Sequence, residues 1–241
     1  MHNKLFVTLA NIFSFGLLGL LGSQLPLEVA TGGVKRGYIP PLPPKDRRQT
    51  VTSAGSRGCP GQSDIGLTLL APNHHIATTV SEHPTLFISV AEIPQRALLF
   101  TLARPDISEP VVQKKLKITS PGIIPITLPS DTPALEMNKN YYWTVTIICN
   151  EKRPSENAYA RSAIKRIALN EELAGRLQKE KDFLLKAQIY ARARVWYDAV
   201  TLGYQAYTQD RDFNATAYFW QLLEEAGLYS SSHLDDSPDH G

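Results

Sequence analysis

The chain has 241 residues, of which 43% are hydrophobic and 20% are charged, and its formal net charge is +2. A chain of this length can form one or two domains with a hydrophobic core, without a dense framework of disulfides or metal sites. The small net charge does not predict the broad basic surface that binds nucleic acid or an anionic membrane. We therefore expect no nucleic-acid partner.

The N-terminal segment has the pattern of a secretory signal. After Lys4 an apolar run extends over residues 5–21, and the small residues Gly22 and Ser23 follow it. This order predicts a signal peptide over residues 1–23, and hence export to the periplasm or the cell exterior. An uncleaved membrane anchor is the alternative, because the run approaches the roughly 18 residues that span a bilayer. Only this segment would then contact the membrane.

Residues 24–58 show no apolar periodicity and include several cations and the run Pro-Pro-Leu-Pro-Pro at residues 40–44. Such a composition buries too little apolar surface to offset the conformational entropy lost on folding. We predict a disordered, basic linker with polyproline character. Two functional alternatives remain open, namely a ligand for an aromatic-lined groove and a contact with anionic lipid or cell-wall polymer.

Residues 59–169 contain short segments in which apolar and polar side chains alternate. The clearest is residues 141–149, with Tyr, Trp, Val, Ile and Cys on one face and mainly Thr and Ile on the other. The predicted strands lie within residues 65–70, 85–91, 97–103, 111–119, 124–128, 141–149 and 158–169. Seven short strands between turn signals predict an antiparallel β-sandwich of the immunoglobulin-like or fibronectin-like kind, as the β part of an α+β fold.

The chain has two cysteines, Cys59 and Cys149, one at each end of this β region. In an oxidising compartment these two residues have a single pairing. We predict a disulfide between them, which closes a long loop and stabilises the fold by roughly 4 kcal/mol in the chain-entropy model. Two buried thiols are the alternative.

The apolar period changes from two residues to 3.6 at Asn170, which is suited to cap a helix whose first turn carries Glu171 and Glu172. The same apolar face continues from Leu173 to Ala191, residues 183–191 and 196–206 form two consecutive helical patterns, and a third covers residues 215–227. We predict a C-terminal three-helix segment over residues 170–229, made of a hairpin and a capping helix. A disordered tail is predicted over residues 230–241.

The predicted hairpin resembles one tetratricopeptide unit. The residues at the expected offsets are Phe183, Ala187, Tyr190, Ala199 and Ala206, with Trp196 before the second-helix alanine. Arg194 departs from this pattern because a turn glycine is usual there, and Gly203 departs because a large apolar residue is usual. With a single unit, we expect the segment to pack on the β domain and not to form a solenoid.

Several motifs in combination resemble one bacterial family. They are Gly58-Cys59, Thr79-Val80-Ser81-Glu82-His83-Pro84-Thr85, Pro121-Gly122-Ile123, Tyr141-x-Trp143 with Cys149, and Ala187-x-Ile189-Tyr190-Ala191-x-Ala193-x-x-Trp196-Tyr197-Asp198-Ala199. Together they resemble the domain of unknown function 928 over nearly everything from Cys59 to Leu228. The resemblance implies an exported protein of photosynthetic bacteria with a β domain followed by helices. It implies no catalytic residues.

The best candidates for metal or catalytic chemistry are His74, His75, Glu82 and His83. Imidazole and carboxylate groups suit zinc or copper, which makes a metal-binding protein or a hydrolase one alternative. Adjacent strand residues point to opposite faces, so His74 and His75 suit a shared metal only within a loop. The preferred interpretation is an exposed turn for these two residues and a hydrogen-bonded bend at Glu82 and His83. No cofactor and no catalytic residue is predicted.

Aromatic side chains are frequent in the predicted helices, and Trp196, Tyr197, Tyr204 and Trp220 form the candidate interaction surface. Trp and Tyr contribute disproportionately to binding energy in protein interfaces. The leading hypothesis is an exported, non-enzymatic protein-interaction module of the cell envelope, whose partner is an unknown envelope protein. Carbohydrate or cell-wall binding by the β domain is a further alternative.

Overall fold

The computed structural model describes residues 37–40, 59, 65–209 and 213–229. The predicted signal segment, most of the predicted linker and the predicted tail lie outside these ranges. Within them the chain has an α+β fold, with eight strands in two sheets followed by four α-helices. No helix in the described ranges is both long and apolar enough to cross a membrane.

The strands form one sheet of three and one sheet of five. Their bounds are β1 Thr68–Leu69, β2 Ala77–Thr79, β3 Thr85–Val90, β4 Leu98–Ala103, β5 Val112–Leu116, β6 Gly122–Thr127, β7 Asn140–Ile147 and β8 Ala158–Arg166. The smaller sheet has the order β1-β3-β6, and the larger has the order β2-β8-β7-β4-β5. Seven of these strands overlap a predicted one, while β2 was not predicted because three residues are too short to show a period.

The prediction of purely antiparallel strands is wrong at one edge of the larger sheet. There β2 pairs in parallel with β8, with Ala77 opposite Ile164 and Thr79 opposite Arg166. Parallel neighbours need a long connection. Five strands separate β2 from β8 in the chain, so the connection between them meets this requirement.

Both sheets contribute to one hydrophobic core that extends into the helices. Along β7 the inward residues Tyr141, Trp143 and Val145 are buried, as the alternation predicts. The Trp143 indole Nε1 donates to the Tyr197 hydroxyl in the helical segment at 2.8 Å. This hydrogen bond satisfies a polar group that would otherwise be buried without a partner.

The predicted disulfide between Cys59 and Cys149 is confirmed, with the two Cα atoms 5.2 Å apart. Cys149 lies two residues after the end of β7. The bond joins residues that are 90 positions apart. It therefore ties the start of the β region to the end of a central strand.

The helices are α1 Glu171–Lys179, α2 Phe183–Arg192, α3 Trp196–Gln209 and α4 Phe213–Glu225. The described segment has four helices, and the predicted number of three is wrong because the chain turns between α1 and α2. Asn170 caps α1 as predicted, by accepting from the Leu173 N–H at 2.7 Å. Asp182 starts α2 in the same way, by accepting from the Leu185 N–H at 2.8 Å.

Four residues of the predicted disordered linker, residues 37–40, have a defined place in the fold, and the prediction does not hold for them. Tyr38 is 5% exposed. Its N–H donates to the Glu225 carboxylate at 2.6 Å, and its hydroxyl forms a hydrogen bond with Nε2 of His75 at 2.5 Å. Its ring meets that of Trp196 edge-on, with centroids 4.8 Å apart.

Candidate functional site

A groove with a volume of about 580 Å³ lies on the outer face of the larger sheet. Strands β5, β4, β7 and β8 form its floor, and the loop after β7 forms one wall. The lining residues are Leu99, Thr101, Gln113, Lys115, Thr144, Thr146, Ile148, Glu151, Pro154, Ser155, Asn157, Tyr159 and Arg161. We call this site the sheet groove.

The register of the four strands arranges the floor of the sheet groove in two rows. One row runs across the strands as Gln113, Thr101, Thr144 and Arg161. The next row runs as Lys115, Leu99, Thr146 and Tyr159. Side chains two residues apart on a strand share a face, so both rows point to the same side of the sheet. The floor therefore combines hydroxyl and amide groups with one aromatic ring and two cations.

Tyr159 and Arg161 form the β8 side of the sheet groove. Tyr159 is 42% exposed. The guanidinium carbon of Arg161 lies 5.9 Å from the centre of the Tyr159 ring, a cation–π distance. Nε of Arg161 donates to the Thr144 hydroxyl at 3.1 Å. These contacts hold the guanidinium beside the ring.

One side chain closes the loop wall of the sheet groove at its base, between the end of β7 and the start of β8. The Asn157 amide oxygen accepts from the N–H groups of Cys149 and Asn150, at 2.9 and 3.1 Å. Since Cys149 is also held by the disulfide, the wall is anchored by a covalent bond and by hydrogen bonds. An anchored wall gives the groove a pre-formed shape, which lowers the entropic cost of binding a ligand.

The structure does not bring together the four metal candidates of the sequence. His75 contacts Tyr38, whereas Nε2 of His83 donates to the Thr132 carbonyl at 2.9 Å. Glu82 forms an ion pair with Arg166 at 2.8 Å. In the described ranges no three His, Cys, Asp or Glu side chains are placed to hold a metal ion.

His75 and its neighbour His74 differ in environment. His74 is exposed, as predicted for a turn, whereas His75 is half-buried against Tyr38. Burial, with a smaller effect from His74, lowers the pKa of His75 to about 4. His75 is therefore neutral at neutral pH, and its Nε2 shares a hydrogen bond with the Tyr38 hydroxyl.

A second, smaller cleft of about 240 Å³ lies where the turn after β2 meets α2 and α3. Two motifs of the family resemblance, around residues 79–85 and 196–199, come together here. Asp198 accepts from the Val80 N–H at 3.1 Å. Burial raises the pKa of Asp198 to about 6, although its hydrogen bonds with Thr79 and Val80 act in the opposite direction. The carboxyl group thus fastens the turn to α3.

Two members of the predicted interaction surface, Trp196 and Tyr197, belong to the core, and their assignment to a surface is wrong. Trp196 is fully buried and its indole Nε1 donates to the Leu70 carbonyl at 3.0 Å. The Tyr197 hydroxyl accepts from Trp143 and donates to the Ala163 carbonyl at 3.0 Å. Helical spacing alone could not separate these buried rings from exposed ones, because both faces of α3 carry aromatics.

The other two members, Tyr204 and Trp220, are partly exposed and belong to a set of rings in contact. Tyr207 lies 6.0 Å from Trp220, and Tyr229 lies 4.6 Å from Trp220, between ring centroids. Phe219 fills the centre of the set and is buried. We call Tyr204, Tyr207, Trp220 and Tyr229 the helical aromatic face.

Sequence reasoning missed the sheet groove, although part of its signal is visible. Tyr159 and Arg161 alternate with Ala158 and Ala160, which is typical of a strand whose polar face is exposed. The sequence gives no register, however, so it does not show that these residues face Thr144 and Thr146 across the sheet.

A family model with the description Domain of Unknown Function (DUF928) matches residues 52–234. The match includes every strand and helix described above, together with both cysteines. It confirms the resemblance that the motifs predict. Among curated proteins no sequence matches the chain significantly.

Proposed function

The chain belongs to the family described as Domain of Unknown Function (DUF928), and from that premise we propose that it is an exported, non-enzymatic binding protein of the cell envelope. Its ligand is a saccharide that lies on the outer face of the larger sheet. The observation that carries this proposal is the sheet groove, a pre-formed concave site with two rows of side chains in register. Ligand-binding sites are concave and combine apolar or aromatic surface with a few placed polar groups.

The chemistry of the floor favours a saccharide. Sugar rings have hydroxyl edges and apolar C–H faces, so they need hydrogen-bonding side chains beside an exposed aromatic ring. Thr101, Thr144 and Thr146 supply hydroxyls, and Gln113 supplies an amide. Tyr159 supplies the ring. The sheet groove is therefore the proposed site for the carbohydrate binding that the sequence offers as an alternative.

Export is supported by the disulfide. A bond between Cys59 and Cys149 forms and persists in an oxidising compartment, which agrees with the signal peptide predicted over residues 1–23. We place the protein in the periplasm or outside the cell. Cell fractionation, with mass spectrometry of the mature N-terminus, tests this, and an intact N-terminus in the cytoplasmic fraction would overturn it.

The two sheets and the α2–α3 hairpin can each be related to a known type of fold. We infer that the two sheets are an immunoglobulin-like or fibronectin-like sandwich, supported by their shared core. We infer that α2 and α3 derive from a tetratricopeptide hairpin. In support, Arg194 has a φ of 64° at the position where that hairpin has its turn glycine.

A binding assay tests the saccharide proposal. Purified protein is titrated against a panel of neutral and acidic oligosaccharides, and the same panel is repeated with Tyr159→Ala and Tyr142→Ala. Tyr142 is the matched control, because it lies on the same face of the sheet but outside the groove lining. We expect wild type and Tyr142→Ala to bind at least one saccharide and Tyr159→Ala to lose at least tenfold in affinity. Binding that is equal in all three proteins contradicts the site, and binding to no saccharide contradicts the function.

A second candidate function is the binding of an envelope protein through the helical aromatic face. The observation in its favour is that all four residues of this face are partly exposed, with the Trp220 ring in contact with the rings of Tyr207 and Tyr229. Capture from an envelope fraction with wild type, Trp220→Ala and the control Phe213→Ala tests it. Phe213 is 85% exposed at the start of the same helix. A partner lost only with Trp220→Ala supports this function, and the same capture with all three proteins argues against it.

The remaining alternative, a metal protein or hydrolase at His74, His75, Glu82 and His83, has no comparable support. Three of these side chains are engaged with different partners in the described structure.

A further inference from the structure

The sheet groove has cations at two diagonally opposite corners of its floor. Lys115 begins one row on β5, and Arg161 ends the other row on β8. Three strand spacings, about 14 Å, separate β5 from β8 across the sheet, and the two corners are also offset by two residues along the strands. Neither cation forms an ion pair with an acid in the part of the chain that the structure describes.

From this arrangement we propose that the sheet groove binds an acidic saccharide chain, one that carries carboxylates and crosses the strands between Arg161 and Lys115. This inference rests on the proposed saccharide-binding function and specifies its ligand class. The guanidinium of Arg161 is suited to a carboxylate, because its parallel N–H groups match the two carboxylate oxygens. Lys115 supplies a second positive charge at the far end.

The orientation of Arg161 supports this role. Its Nε is bound to Thr144 and its plane is held near the Tyr159 ring, so the side chain is ordered before a ligand arrives. Pre-ordering reduces the entropy that binding would cost. A sugar ring on Tyr159 would place a ring carboxylate beside the guanidinium, since the two side chains are neighbours on one face of β8.

The third charged residue of the lining, Glu151, lies on the loop wall. The Glu151 carboxylate repels an anionic ligand, so the charged groups of that ligand are restricted to the two cationic corners. Replacement of this carboxylate by an amide, in Glu151→Gln, therefore strengthens the binding of an acidic saccharide.

An acidic peptide is the rival ligand, and the floor of the groove argues against it. Extended peptides bind sheets by pairing with the backbone of an edge strand. On the face of a sheet the backbone groups already pair with each other, and only side chains point outward. Thr101, Thr144 and Thr146 offer hydroxyls along the floor, which match the hydroxyl groups that recur along a saccharide chain.

The test compares three soluble probes by isothermal titration calorimetry: a tetrasaccharide of galacturonic acid, the neutral galactose tetrasaccharide of the same linkage, and a poly-glutamate peptide. We expect the acidic tetrasaccharide to bind at least about tenfold more tightly than the neutral one. In the double variant Arg161→Gln, Lys115→Gln, we expect the ratio of the two affinities to fall to about one. High salt also lowers this ratio for the wild type. Lys165→Gln is the control, because Lys165 points to the same side of β8 outside the groove lining.

The outcomes separate this inference from the proposed function. Equal affinity for the acidic and the neutral tetrasaccharide overturns the acidic ligand while saccharide binding stands. Tighter binding of the peptide overturns it in favour of a protein ligand, and binding of no probe overturns both proposals. Equal thermal unfolding midpoints for the variants and the wild type show that any loss arises in the groove and not from misfolding.

Discussion

At the scale of single residues, Asp198 shows how one carboxyl group joins the sheets to the helices. It lies on α3 and accepts from the Val80 N–H in the turn after β2. Burial makes its charged form costly, and the pKa rises to about 6. Because an unfolded chain has the ordinary value near 3.8, the folded protein binds this proton more tightly than the unfolded chain does.

The pH dependence of stability follows from this difference. A group whose pKa is raised on folding contributes stability that is complete below the unfolded value, and this contribution is lost as the pH rises through the folded value. For Asp198 the window is therefore pH 4 to 6. The change across it is at most about 3 kcal/mol. Asp198 therefore contributes less to the free energy of unfolding at neutral pH than at pH 4.

Asp198→Asn tests this account, because an amide keeps an oxygen for the Val80 N–H and does not titrate. We expect the variant to match or exceed the wild type in free energy of unfolding at pH 8, and to lose that advantage at pH 4. Urea unfolding at several pH values measures this. A variant that is much less stable than wild type at pH 8 would show that the charged carboxylate stabilises the fold.

At the scale of elements, α2 and α3 are joined by a strained residue. Arg194 has a φ of 64°, in the left-handed region that costs a non-glycine residue roughly 1 kcal/mol. Its carbonyl accepts from the Thr78 hydroxyl at 2.9 Å, which links the turn to β2. The backbone therefore keeps a glycine-type turn although the sequence has arginine there.

Arg194→Gly relieves this strain, and we expect it to raise the free energy of unfolding by about 0.5 to 1 kcal/mol. Lys186→Gly is the matched control, because it places glycine inside α2, where it costs about 1 kcal/mol. Denaturant unfolding of both variants measures the two effects. Destabilisation by Arg194→Gly of the same size as in the control would contradict the strained turn.

Most elements could be predicted from the sequence, because their periods are local. The alternation in β4 and β7 identifies the buried face correctly, and Asn170 marks the start of a helix. Strand β2 was missed since its position depends on pairing with β8. The break before α2 was missed because Asp182 interrupts an apolar face that otherwise continues.

At the scale of the whole molecule, long-range contacts decide what sequence patterns leave open. Strand register aligns Thr101, Thr144 and Arg161 into one row of the sheet groove. Tertiary packing buries Trp196 and leaves Trp220 partly exposed, although both are aromatic residues on helices. The metal candidates were separated by the fold for the same reason. Of the candidate site, the sequence alone could supply residue types but not their arrangement.

The disulfide is the long-range contact that the sequence did predict, since two cysteines allow one pairing. We expect the double variant Cys59→Ser, Cys149→Ser to lose up to about 4 kcal/mol in free energy of unfolding. Denaturant unfolding of the variant and of the reduced wild type measures the loss. Equal midpoints for oxidised and reduced protein would mean that the bond does not restrain the unfolded chain.

The central claim is that a saccharide lies on the outer face of the larger sheet, and nuclear magnetic resonance of labelled protein tests it most directly. During titration with the galacturonic acid tetrasaccharide, we expect the amide signals of Thr101, Thr144, Thr146 and Tyr159 to shift in a saturable way. The signals of Tyr207 and Trp220 on the helical aromatic face stay in place. Shifts confined to the helical aromatic face, or no shifts with any saccharide of the panel, would contradict the account.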